Sequence, residues 1–95
     1  MILQIVDFTG DGDGVTALYI NGELHFHGDE YHDDILGKIK GFIQGLEFMN
    51  RFIGSQYEIQ ELETLEVTNE KLLEDVSCNA ECPPLTINEL LLIYK

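Results

Sequence analysis

The sequence predicts an α+β domain: an antiparallel sheet of about four strands in the order β-β-β-α-β-α-α, with helices packed on one face. Three observations predict it. Residues 1–27 are short apolar runs broken by glycine-rich turns, residues 33–51 switch to a helical apolar period, and the rest combines one alternating run with two helix-start signals. Ninety-five residues is the length of one small domain. With no internal repeat, low-complexity tract or linker, 1–95 reads as a single unit.

Ile2 to Phe8 is β-branched and apolar and ends at the turn cluster Thr9-Gly10-Asp11-Gly12-Asp13-Gly14, which makes it a strand. Val15 to Ile20 and Glu23 to His27 are two more strands. Asn21-Gly22 between them is the strongest short signal for a two-residue type I′ hairpin. That turn sets a register of Ile20 with Glu23, Tyr19 with Leu24, Leu18 with His25, Ala17 with Phe26 and Thr16 with His27. Since opposed residues share a face, Val15, Ala17, Tyr19, Leu24 and Phe26 form a core face. Thr16, Leu18, Ile20, Glu23, His25 and His27 form a mixed one, where function would be sought.

Ile35, Ile39, Phe42, Leu46 and Met49 step by four and three, the apolar stripe of a helix over about Asp33 to Arg51. His32, Asp33 or Asp34 would open it, early acids suiting the positive N-terminal end. Gly37, Gly41 and Gly45 lie on a shoulder beside Phe48, away from that stripe. Each costs about 1 kcal/mol relative to alanine inside a helix. A close contact must offset this, either within the fold or, as a second option, with a partner or another copy. Gly54-Ser55 ends the unit. Gln56 to Thr68 reads as a strand through Tyr57, Ile59, Leu65 and Val67. Asn69 to Val76 is a short helix, Ser77 to Pro84 a loop, and Thr86-x-x-Glu89 a capping box before a C-terminal helix.

Charge narrows the function classes. Eighteen acids against five Lys and Arg give a formal net charge of −13. Residues 1–34 hold eight acids and no Lys or Arg, whereas residues 35–55 hold Lys38, Lys40 and Arg51 against Glu47 alone. Nucleic-acid binding is excluded, because phosphate contacts need cations, and anionic membrane surfaces repel such a chain. The longest aliphatic-aromatic run, Leu90 to Tyr94, is far short of the roughly 20 residues of a membrane span. Met1-Ile2-Leu3-Gln4 shows no basic stretch before an apolar one. A cytoplasmic setting is expected.

Candidate chemistry is sparse. His25-x-His27 would put two imidazoles on one side of a strand, with His32 nearby, so His25, His27 and His32 are candidate metal ligands. A solvated histidine face is the simpler reading. Cys78 and Cys82 lack C-x-x-C spacing and read as reduced thiols before zinc ligands or a disulfide. Asp7, Asp11 and Asp13 imitate the start of an EF-hand loop, but Leu18 falls where its last glutamate is required. Only Ser55 and Ser77 are available as serine nucleophiles, neither in a nucleophile-elbow context. No enzyme and no cofactor is expected.

Ala17-Leu18-Tyr19-Ile20-Asn21-Gly22-Glu23-Leu24, followed by His27-Gly28 and an amphipathic helix, resembles small acidic proteins of bacteriophages and prophages. The likeness covers about residues 15–75, and the Cys78 to Pro84 loop departs from it. The resemblance implies a short phage accessory protein working in a bacterial cytoplasm, where such proteins often inhibit host or defence proteins. The expected function is therefore binding and blocking of a bacterial protein. Its acidic surface would steer association or imitate nucleic acid. The candidate contact residues are Asp29, Glu30, Asp33 and Asp34 on one side and Glu58, Glu61, Glu63 and Glu66 on the other. A small-ligand or metal module on the histidines is the alternative, and a homo-oligomer a third expectation.

Overall fold

A computed structural model describes residues 1–8, 14–29, 33–54, 58–78 and 82–94; the side chains at 77, 78, 93 and 94 lie outside this description. The elements are β1 (Ile2–Phe8), β2 (Val15–Ile20), β3 (Glu23–Asp29), α1 (Ile35–Phe52), β4 (Glu61–Glu66), α2 (Glu70–Leu73), a π-helical turn (Glu74–Cys78) and α3 (Ile87–Tyr94). The chain is an α+β fold on one four-stranded sheet of order β3-β2-β1-β4. The turn cluster after Phe8 falls largely on residues outside the description.

The sheet is mixed, which corrects the antiparallel expectation. β1, β2 and β3 pair antiparallel, but β4 runs parallel to β1, from Ile2 opposite Glu61 to Asp7 opposite Glu66. The cause is the connection. One long helix after β3 returns the chain to the start of the sheet, so the next strand runs in the direction of β3 and of β1. β4 then takes the free side of β1.

The helices do not share a face, a second correction. Leu3, Leu18 and Ile20 pack with Ile35, Ile39 and Leu46 of α1. Val6, Phe8, Ala17 and Tyr19 pack with Val67, Leu72, Val76 and Leu90 from the C-terminal third. Thr16 to Ile20 of β2 are consequently buried without interruption. The supposedly mixed face of the hairpin is thus a second core, as its Leu18 and Ile20 required. Tyr19 anchors the opposite layer: its hydroxyl donates to the Pro84 carbonyl at 2.6 Å.

The hairpin turn forms as expected, with Asn21 at φ 50° and Gly22 at φ 85°, the left-handed pair of a type I′ turn. Asn21 also ties down the N-terminus. Its Oδ1 accepts from the Ile2 N–H at 2.9 Å, and its own N–H donates to the Ile2 carbonyl at 2.8 Å. The register keeps Ile20 with Glu23 and Tyr19 with Leu24, then slips by one, pairing Leu18 with Phe26, Ala17 with His27 and Thr16 with Gly28. A bulge of this kind turns the following side chains to the other face. Phe26 therefore joins the α1 core, edge-on to Phe42 with ring centroids 5.4 Å apart. The same slip lengthens β3 to Asp29.

The later helices begin where the capping residues stand. Asn69 Oδ1 accepts from the Leu72 N–H at 3.0 Å, and Thr86 Oγ1 accepts from the Glu89 N–H at 3.2 Å. α1 begins differently from expectation: Asp34 sits in the left-handed region at φ 47° and makes no side-chain cap, and the first turn holds no acid.

Candidate functional site

α1 buries one side and exposes an unusual other. Gly41, Gly45, Phe48 and Phe52 step by four, three and four, which places them along one line of the helix. Phe48 and Phe52 are 64% and 66% exposed, and Ile53 just beyond them is 61% exposed. The two rings touch each other, centroids 4.7 Å apart. A Cβ built on Gly41 or Gly45 would meet nothing within 4 Å. Among the described residues nothing therefore packs on Gly41 or Gly45, and the expected internal contact is absent there. Gly37 differs, because the Asp34 carboxylate occupies the space its Cβ would take, 2.5 Å from that point. Lys38, Lys40 and Arg51 are exposed on the same helix, whose one acid is Glu47.

The first acidic group is bound up with the β3–α1 connection. Asp33 Oδ2 accepts from the Asp29 N–H at 3.0 Å, and the Asp33 side chain folds over Gly28, where an added Cβ would lie 2.6 Å from that oxygen. Asp29 is half-buried while Asp33 and Asp34 are exposed. Glu30 lies outside the described residues.

The second group follows β4. Glu58, Glu61, Glu63 and Glu66 are all exposed, but they do not form one plane. Glu61 and Glu63 oppose Ile2 and Gln4 and share the face of Val6, which the C-terminal helices cover; Glu66 opposes Asp7 on the α1 face. Gln4 Nε2 donates to Glu63 Oε2 at 3.4 Å. On the C-terminal face two depressions follow the strand, one of about 400 Å³ between Gln4, Glu61, Ile87 and Asn88, the other of about 350 Å³ between residues 64–68, Leu90 and Leu91. The first lies beside the acidic Glu61 and the second beside the apolar Leu65, Leu90 and Leu91. Nothing in the sequence marks them, since they depend on β4 lying outermost.

The bulge also separates the histidines. His27 stands opposite Ala17, whereas His25 falls at the register slip beside Leu18, whose face is the other one. Both are exposed, and His32 lies outside the described residues. Among the described residues no group of three His, Cys, Asp or Glu is placed to hold a metal ion. Of the EF-hand-like acids, Asp11 and Asp13 lie outside the description, and Asp7 sits mid-row between Thr16 and Glu66 with a buried Oδ1 that no hydrogen bond reaches. Cys82 is an exposed free thiol; the Cys78 side chain lies outside the description. Burial, with Cys82 and Glu89 nearby, pushes the Tyr19 phenol far above its ordinary range.

No helix among the described residues is long and apolar enough to cross a membrane. No family model, curated protein or solved structure matches this chain, so its function has to be read from its own surfaces.

Proposed function

We propose that this chain is a protein-binding domain that occupies and blocks a surface of a bacterial host or defence protein, docking through the outer face of α1. The observation that carries the reading is the pairing of bare helix backbone at Gly41 and Gly45 with the exposed rings of Phe48 and Phe52. Glycines inside a helix cost stability and large exposed apolar groups cost solubility. Both costs are offset together if a partner packs on that line, the aromatics filling its pockets and the glycines admitting its side chains close to the helix axis. The resemblance of the hairpin to phage proteins supplies the bacterial setting. The net charge of −13, carried mostly away from this helix, steers the long-range approach of a cationic partner and repels other anionic surfaces.

The test is capture from nuclease-treated bacterial lysate on immobilised wild-type protein and on the Phe48→Asp/Phe52→Asp variant, at low and high salt. A stoichiometric partner held by the wild type, lost by the variant and retained at high salt supports docking through α1. A partner that the variant holds equally well refutes it. Steep loss with salt at an unchanged response to the variant would point instead to the imitation of nucleic acid by the carboxylates.

A further inference from the structure

β4 closes one side of the sheet, and its outer edge carries no strand among the described residues. Val67 donates its N–H to the Asp7 carbonyl, and with Asp7 opposite Glu66 and Ile5 opposite Thr64 the parallel ladder uses alternate residues of β4. The backbone groups of Leu62 and Thr64 therefore point outward. The other edge of the sheet is partly taken, because Leu24 donates to the Leu85 carbonyl and Ile87 to the Gly22 carbonyl, at 2.9 and 2.8 Å. An unprotected edge is a template for another strand.

A second copy is a poor occupant. Pairing β4 with β4 of another molecule would set two strands that each carry Glu61, Glu63 and Glu66 side by side, and like charges across a pair of strands are destabilising. The same carboxylates favour a cation-bearing strand. On the C-terminal face the strand presents Glu61, Glu63 and then Leu65, with one depression beside Gln4 and Glu61 and a second beside Leu65, Leu90 and Leu91.

We infer that β4 is a docking edge for an extended segment of a partner protein whose successive side chains on one face are basic, basic and apolar. The segment adds a fifth strand. Its backbone bonds Leu62 and Thr64, two cations meet Glu61 and Glu63, and the apolar side chain enters the cleft against Leu65 and Leu91. Residues two apart share a face, so the recognised pattern is basic-x-basic-x-apolar, read in whichever direction the added strand runs. This goes beyond docking through α1 and concerns a different side of the molecule.

The probe is a fluorescein-labelled peptide of about eight residues, long enough to pass both ends of a six-residue strand. It carries Lys, Lys and Leu at alternate positions with Thr between, and is made in both sequence orders. Anisotropy titration against the full chain should show saturable binding for one order. Replacing both Lys by Glu, or methylating the backbone nitrogens that face β4, should each weaken it at least about tenfold, or about 1.4 kcal/mol. On the protein, Thr64→Pro removes only an outward donor, a change an edge strand tolerates, and should weaken binding equally. Leu91→Glu should weaken the Leu-containing peptide and not one with Thr in place of Leu. Binding that survives backbone methylation unchanged would overturn strand addition, and no binding by either order would overturn the docking edge. Either failure leaves the α1 reading standing, because that rests on Phe48 and Phe52.

Discussion

Replacing Gly41 and Gly45 together by alanine should make the protein markedly more stable. Both residues lie inside α1, and an added Cβ at either would meet nothing within 4 Å. The change therefore carries no steric cost and removes the entropy penalty of glycine, about 1 kcal/mol at each position. The two sites are one turn apart but share no neighbour, so the gains should nearly add, to about 2 kcal/mol. For a domain of this size that raises the melting temperature by about 8–16 °C. Urea unfolding followed by circular dichroism should show a higher midpoint at an unchanged slope, since the surface exposed on unfolding hardly alters. Gly37→Ala is the internal control: its Cβ would displace the Asp34 carboxylate, so it should gain less or lose. If the double alanine variant is destabilised, something presses on this face in the folded protein, and the open shoulder is refuted. If it is stabilised yet holds its captured partner as well as the wild type does, the glycines do not serve docking.

Three other perturbations follow from particular contacts. Tyr19→Phe removes the bond to Pro84 and should cost about 1 kcal/mol in urea unfolding at neutral pH. Because burial holds the Tyr19 phenol above its ordinary value of 10.0, the wild type keeps this contribution below about pH 10 and loses stability as the pH rises beyond it; the phenylalanine variant should show a shallower alkaline fall. Gly28→Ala forces the Asp33 side chain off β3 and should cost about 1–3 kcal/mol, with faster amide exchange at Asp29, whose N–H that carboxylate accepts. Asn69→Ala uncaps α2 and should cost about 1 kcal/mol, whereas Asn69→Asp should cost much less; equal losses would mean that the cap is not what matters there.

Local chemistry made much of this architecture legible. Asn21-Gly22 named its own turn, Asn69 and Thr86 their own caps, and the spacing of Ile35, Ile39 and Leu46 the buried side of α1, because each depends on residues within about one turn of itself. The strand alternation of Glu23 to His27 was misleading for a physical reason. Unbroken alternation would have placed Phe26 with Leu24 and Tyr19, but Phe42 offers Phe26 an aromatic partner on the opposite face. A bulge at Leu18/Tyr19 accommodates that exchange, and no property of five consecutive residues reveals it. The parallel placement of β4 was hidden likewise, since periodicity tells a strand's faces but not its neighbour.

The outer position of β4 changes what its acids mean. In the sequence, Glu58, Glu61, Glu63 and Glu66 read as one solvated run or one charged patch. Across a strand they divide, Glu61 and Glu63 sharing the face that the C-terminal helices cover and Glu66 the row shared with Asp7. A mimic of a phosphate backbone would need these carboxylates on one continuous surface, and β4 alone does not provide it. Carboxylates along an outer strand do something more specific: they discourage pairing with another acidic copy, whose like charges would be brought close, while leaving the backbone open to a strand that brings cations. Charge here selects among strands. The apolar line on α1, set among Lys38, Lys40 and Arg51, has no such filter, so specificity there must come from shape, with Phe48 and Phe52 as the projecting groups and Gly41 and Gly45 as the recess.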